Sequence, residues 1–460
     1  MTPPPEMRMP TKSNGELPPA PLARALIRSL TRGTAIAHGV RYIHVGHEKW
    51  LTAQQELLRE VAEDGHSETK FVRGTYGAGK SHFLSVVQDR ARDQGWMTSH
   101  IECKSDRVQI DRFETLYPSI VAKLLSTDIL TTRAAMTEGE TLDSVRFLLE
   151  RWTRQQLRRA GVKDDGINRP FDADNRIYSQ LQKGLLQSSL STEFTRALAG
   201  FARASLTDDF DTTSAICRWL RGAEERVHIP AAYLQKPVSA TPDRTATVQL
   251  RPIGKGTAHD VMRGLLWLIR SAGYEGLVLC IDEVEEIAKL GTRKRQDQAL
   301  QALREYVDHA GGEGGYMNLC MYLAATPEMF EGENYFPRYD ALATRIQALS
   351  PELNWRAPVI DLDRTPLTSP QMREMAMRIW DAHRAAYGQL ETQEFTPDFV
   401  KRLVEGLVNT RFRIAKPRLL ARVLVDELER ARQRSSAYAT PSDIDHLVVQ
   451  AASQLTKESE

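Results

Sequence analysis

Gly74, Gly79, Lys80 and Ser81 stand at the spacing G-x-x-x-x-G-K-S, inside the run Phe71-Val72-Arg73-Gly74-Thr75-Tyr76-Gly77-Ala78-Gly79-Lys80-Ser81-His82-Phe83-Leu84. The chemistry that uses this spacing is the wrapping of a triphosphate by backbone N–H groups, which glycine permits by letting the chain approach closely. Gly74, Gly77 and Gly79 supply the approach, and Thr75, Tyr76, Ala78 and His82 complete the nucleotide-binding stretch. Lys80 would reach the β- and γ-phosphates of ATP. Ser81 would ligate Mg2+ through its hydroxyl, and the helix opening near Gly79 points its positive end at the anion. A glycine-rich turn can match the same spelling by chance, so the flanking elements matter. Residues 69–73 alternate as a short strand should, and residues 81–92 carry Phe83, Leu84, Val86 and Val87 at helical spacing.

A second constellation lies far downstream. In Gly276-Leu277-Val278-Leu279-Cys280-Ile281-Asp282-Glu283, five apolar residues precede two carboxylates. A continuous apolar run marks a strand buried on both faces, as in a parallel sheet. Two acids at its tip suit Walker-B chemistry, Asp282 holding hydrated Mg2+ and Glu283 polarising the attacking water. The plainer reading is a solvated strand end leading into an acidic helix, since Glu285 and Glu286 continue the run. Residues 319–325 form another buried strand, ending at Thr326-Pro327, which puts a hydroxyl beside the acids if the two strands are neighbours.

These groups need a substantial scaffold, and 460 residues allow two or three structural units. Hydrophobic content of 41% and charge of 26% describe an ordinary globular chain, and a net charge of +1 excludes bulk attraction to nucleic acid. No apolar run approaches the roughly 20 residues that span a bilayer, and Pro3-Pro4-Pro5 stands where a signal peptide would be apolar, so no membrane partner and a cytoplasmic location are expected. Cys103, Cys217, Cys280 and Cys320 have no metal spacing and read as reduced core residues.

In chain order, residues 1–21 read as a disordered proline-rich arm. Helices are expected at 22–36 and 48–61, with residues 42–46 extended between them. A strand at 97–103 and a helix at 113–125 follow the loop helix. Residues 126–256 form a helical insertion whose last part, 229–256, carries four prolines and reads as an irregular connector. Beyond the acids come a helix at 293–310, a glycine-rich turn at 311–315 and a last strand at 358–362. Residues 365–460 are wholly helical, at about 370–387, 397–408, 416–434 and 441–455, the first, second and fourth opening at Ser369-Pro370, Thr396-Pro397 and Thr440-Pro441. The domain expectation is an α/β core over 22–364, interrupted by the insertion, and a helical lid over 365–460.

Strand, phosphate loop, acid pair, polar strand tip and helical C-terminal region together resemble the AAA+ class of P-loop ATPases, notably its origin-recognition and initiator-like branch. Val45-Gly46-His47-Glu48 looks like that branch's V-G-R-E box beside the adenine, with histidine in place of arginine. A closer resemblance is to the BrxD-like ATP-binding proteins of bacterial BREX phage-defence systems. It is carried by the loop from Arg73 to Phe83, by Gly273-Tyr274-Glu275-Gly276-Leu277 running into Asp282-Glu283-Val284-Glu285, and by Ala324-Ala325-Thr326-Pro327-Glu328-Met329-Phe330. The resemblance implies that Thr326 is sensor 1, that Arg345 stands where an arginine finger serves a neighbouring subunit, and that Arg418 stands where sensor 2 reports the γ-phosphate. Alternatively, Arg345 only pairs with a surface acid and Arg418 only caps a helix.

The basic C-terminal run Arg411, Arg413, Lys416, Arg418, Arg422, Arg430, Arg432 and Arg434 is interleaved with Asp426, Glu427 and Glu429, which favours a solvated face over a DNA-tracking stripe. The chain also lacks length for the winged-helix domain that initiator-like proteins append, so any DNA role is expected to be indirect. The expected function is a Mg2+-dependent ATPase that helps assemble or remodel a protein–DNA complex in phage defence, with other defence proteins and a homo-oligomer or mixed AAA+ assembly as partners. A tight ATP-binding switch with rare hydrolysis is the alternative, and a small-molecule kinase fits the acids and terminal helices less well.

Overall fold

The computed structural model describes residues 17–33, 39–103, 110–136, 141–162, 170–186, 190–223, 226–238, 243–311, 315–332, 334–347, 352–388, 397–409 and 416–433. The helix expected at 441–455, most of the N-terminal arm, the centre of the glycine-rich turn, and Arg411, Arg413 and Arg434 lie outside these residues. The described residues form seven strands: β1 (Glu68–Arg73), β2 (Met97–Glu102), β3 (Val227–Pro230), β4 (Thr247–Leu250), β5 (Leu277–Asp282), β6 (Leu319–Ala325) and β7 (Val359–Asp361). Packing divides the chain into two units, one comprising Met1–Ala53, Arg73–Asp89 and Asp361–Glu460, the other Gln54–Val72 and Arg90–Ile360.

The second unit is built on a five-stranded sheet of order β2-β5-β6-β1-β7. β5 runs parallel to both β2 and β6, in register from Leu277 against Met97 and against Leu319. Every residue of β5 and β6 is buried, as their unbroken apolar spelling requires. Helices Phe113–Ala122, Ala258–Ser271 and Arg293–Gly311 contribute to the same apolar core. The helix expected over 113–125 ends at Ala122, because Leu125 instead exchanges backbone hydrogen bonds with Thr98 at the edge of the sheet.

Helices Thr127–Ala135, Ser144–Arg159, Pro170–Leu186, Thr192–Leu206 and Phe210–Leu220 make up the insertion. Its last part is not an irregular connector. β3 and β4 pair antiparallel, Val227 against Leu250 and His228 against Gln249. Pro230 ends β3, where a missing donor costs no ladder bond, so its presence is compatible with a short hairpin. At the centre of the insertion Arg203, on helix Thr192–Leu206, is 2% exposed and holds Asp174 through two hydrogen bonds of 2.6 and 2.9 Å.

In the first unit, helix Ala20–Arg32 packs on helices Ser369–Tyr387 and Lys416–Gln433. It begins two residues earlier than expected because Pro21 fits the first turn, where no intrahelical N–H is needed. The segment expected to be extended at 42–46 instead follows a single 3-10 turn, Val40–Tyr42, entered from a left-handed Gly39. The cap of helix Ser369–Tyr387 is Thr368, not Ser369, because Gln371 completes a capping box with it. Helix Pro397–Asn409 completes the described C-terminal helices. Among the described residues no helix is long and apolar enough to cross a membrane, and all four cysteines are buried free thiols.

Candidate nucleotide-binding site

The phosphate loop belongs to the first unit. It leaves β1 at Arg73, turns through left-handed Gly77 and Gly79 with φ of 81° and 98°, and enters helix Lys80–Asp93. A side chain is strained at such φ values, which is the local reason for glycine there. The helix begins at Lys80, so its first-turn N–H groups are those nearest the loop, the arrangement that binds anions elsewhere. Lys80 is buried, and its Nζ donates to the Gly74 carbonyl at 2.9 Å and the Thr75 carbonyl at 3.5 Å. The loop thus holds its own cation over its backbone.

Asp363 accepts from the Thr75 backbone N–H at 2.8 Å and from the Thr75 hydroxyl at 2.9 Å. Two residues earlier, Asp361, the last residue of β7, pairs with Arg73 at 2.6 Å, so the entry to the loop is tied to the end of β7 and the residues just after it. Tyr76, at the loop tip, is 49% exposed, and the Arg418 guanidinium lies 4.9 Å from its ring centroid. Arg418 therefore touches the loop rather than only its own helix. His82 meets His44 at 3.0 Å between ring nitrogens, and His47 packs edge-on to Phe83. Val45 is buried, Gly46 is left-handed, and the Val45-Gly46-His47 segment belongs to the same unit as the loop.

Desolvation, then the neighbouring His47, pushes the His82 imidazole down to about 4 from 6.5. Burial likewise pushes His259, which bonds Tyr316, down to about 4. Both rings are neutral when folded, whereas the unfolded chain takes up their protons near 6.5. Their stability contribution is complete above that value and is lost as pH falls towards 4, each pKa unit being worth about 1.4 kcal/mol. The urea midpoint should therefore fall between pH 7 and pH 4.5, and His82→Gln should flatten that slope. An unchanged slope in the variant would place the acid sensitivity elsewhere.

The carboxylates belong to the second unit. Asp282 closes β5, is 2% exposed, accepts from the Glu283 N–H at 2.9 Å through Oδ1, and has His100 Nε2 3.7 Å from Oδ2. Glu283 adopts φ 56° and ψ 39°, a left-handed conformation that costs a non-glycine residue of order 1–3 kcal/mol. Thr326 follows β6, the neighbour of β5, and its hydroxyl oxygen is buried without a hydrogen-bond partner among the described residues. A buried hydroxyl left open beside an acid-tipped strand is what an incoming water or phosphate oxygen would satisfy. Burial, reinforced by Asp282 and Glu283, pushes the adjacent Cys103 thiol far up, so it is no nucleophile.

Arg345 lies on helix Asp340–Ile346 and pairs with Asp308 of its own chain at 2.8 Å, both side chains being more than a third exposed. An exposed pair of this kind is worth only about 0–1 kcal/mol, so releasing it costs little. In helix Lys416–Gln433, Arg430 pairs with Asp426 and Glu427, and Arg432 with Glu429. Those cations face their own acids.

The donor set suits the expected ligands. Glycine amides and Lys80 suit a polyphosphate, and the Ser81 hydroxyl and Asp282 carboxylate are hard oxygen donors of the kind Mg2+ takes. The Thr75–Asp363, Tyr76–Arg418, His44–His82 and His100–Asp282 contacts were not foreseen from the sequence. Each joins distant residues, and only the Asp361-x-Asp363 alternation after a strand hinted at one.

No curated protein matches the chain significantly. A family model described as "BREX system ATP-binding protein BrxC/D" matches residues 20–443.

Proposed function

From the premise that the chain belongs to the BREX system ATP-binding protein BrxC/D family, we propose that it is a Mg2+-dependent ATPase of AAA+ type, akin to the initiator-like branch. Its cycle assembles or remodels a protein–DNA complex with other defence proteins. The observation that carries this reading is the strained, left-handed Glu283 immediately after the buried Asp282. A fold holds such a backbone where the carboxylate has work to do.

Gly74, Gly77, Gly79 and Lys80 bind the polyphosphate, and Ser81 and Asp282 hold the Mg2+. That ion, when bound, neutralises charge on the β- and γ-phosphates. Glu283 accepts hydrogen bonds from the attacking water, and Thr326 orients it through the hydroxyl that has no partner in the described residues. Arg418, which stacks on Tyr76, joins the helical lid to the occupancy of the loop. Phosphate release from ATP, measured with and without partner proteins, tests the proposal. Turnover no higher than that of a Glu283→Gln control would overturn it.

The Arg345–Asp308 pair favours a second reading, a switch that holds ATP and hydrolyses it rarely. Without a finger in trans the intrinsic rate is low. Association with partners compared in ATP, ADP and no nucleotide, alongside turnover, separates the two. As a finger, Arg345 requires head-to-tail contact between protomers or with a related ATPase. Turnover per chain then rises steeply with concentration, and Arg345→Ala abolishes the rise while leaving ATP affinity within a few-fold. Mixing Arg345→Ala with Glu283→Gln restores part of the activity. Concentration-independent turnover would make the Asp308 pair the whole role of Arg345.

A further inference from the structure

The insertion contains a cavity of about 420 Å3, within the roughly 300–1,000 Å3 of small-ligand sites. It lies between one face of helix Phe210–Leu220 and one face of β3. Asp211, Ala215 and Arg218 follow one another at helical spacing, and Arg226, the residue just before β3, is two positions from His228 within it, so each set points the same way. The surrounding arginines are occupied. Arg146, Arg154, Arg203, Arg221, Arg244 and Arg251 each meet a carboxylate. Arg218, Arg226 and His228 are exposed, and their side chains have no partner among the described residues. Arg218 and Arg226, two permanent cations with no ion-pair partner among the described residues, share the cavity with a single acid, Asp211, which pairs with neither, unlike a solvated face of the usual paired kind.

The rim adds an apolar element. Phe210, next to Asp211, is 70% exposed, more than any other large aromatic side chain among the described residues. Its neighbour Asp209 caps the helix through the Thr212 N–H at 3.1 Å, which fixes the turn carrying Phe210. Ser214, on the cavity wall, is held by Arg146 at 2.8 Å.

We infer that this cavity binds one phosphodiester unit of single-stranded nucleic acid, with Arg218 and Arg226 on the phosphate and Phe210 stacked on the adjoining base. Guanidinium forks match phosphate oxygens, and an exposed ring is a platform for any unpaired base. Asp211, the one acid on the cavity wall, can accept a hydrogen bond from a base N–H, thymine N3–H included. A duplex keeps its bases stacked on each other and offers none to Phe210. The site lies entirely within the second unit, away from the phosphate loop in the chain, and does not depend on ATP hydrolysis.

The test is fluorescence anisotropy of a labelled oligothymidylate of about 12 nucleotides with the full chain, at low salt and without ATP. The wild type should bind it better than the matching duplex. Arg218→Glu with Arg226→Glu should weaken binding at least about tenfold and flatten the log affinity against log salt slope by about 1.4, about 0.7 for each lost contact. Phe210→Ala should weaken it roughly 5- to 100-fold with little change in salt slope. The milder Arg218→Gln with Arg226→Gln guards against misfolding, as does unaltered ATP binding in every variant. Wild type that fails to bind, variants that bind as wild type does, or displacement by inorganic phosphate or polyglutamate at equal charge concentration would each overturn the assignment.

Discussion

Glu283→Gln is expected to leave ATP binding within a few-fold of wild type and to lower hydrolysis by about 10²- to 10⁴-fold. The expectation rests on separation of roles along the chain. Glu283 belongs to the tip of β5, whereas the amides and cation that grip phosphate belong to the loop and its helix. Glutamine keeps the size of the side chain and the left-handed backbone but accepts protons poorly, so the water loses its base while the nucleotide keeps its cradle. Lys80→Ala should do the reverse, removing most affinity, because Lys80 is the buried cation that lies over the loop carbonyls. Titration with a fluorescent ATP analogue and phosphate release, run on both variants, checks the division. Equal loss of binding in both would refute it.

The second large effect concerns stability. Arg203→Ala should destabilise the second unit by about 3–5 kcal/mol, read as a lowered urea midpoint, because it leaves Asp174 buried without its partner. Removal of both charges, Arg203→Met with Asp174→Leu, should recover much of the loss, since two apolar groups of similar size need no partner. ATP affinity should not move in either. If Arg203→Ala costs less than about 1 kcal/mol, water reaches Asp174 and the pair is effectively solvated.

The elements that announce themselves locally were legible in the sequence. β5 and β6 are unbroken apolar runs between polar ends, and the loop helix begins where Gly79-Lys80 says it should. The β3–β4 hairpin was not legible, because its strands are four residues each and its prolines argue against a ladder until one sees Pro230 at a strand end. The order β2-β5-β6-β1-β7 was equally hidden, since pairing between strands separated by whole helices leaves no local period. The same holds for the site. Lys80, Ser81, Asp282, Glu283 and Thr326 are read from spacing, but Asp363 on Thr75 and Arg418 on Tyr76 depend on contacts between residues hundreds of positions apart.

The route of the chain between its two units has a kinetic consequence. It passes from one to the other at Ala53/Gln54, Val72/Arg73, Asp89/Arg90 and Ile360/Asp361, so neither unit is a continuous segment. The first unit cannot complete itself until residues on both sides of a stretch of 271 residues, 90–360, are available. Closing so long a loop before its contacts form makes folding slow, and an emerging chain would wait, partly exposed, for residues 361–460. Truncation within residues 90–360, which leaves both units incomplete, should therefore yield aggregation rather than an independently folded half, and production of this chain should depend on chaperones more than its composition suggests.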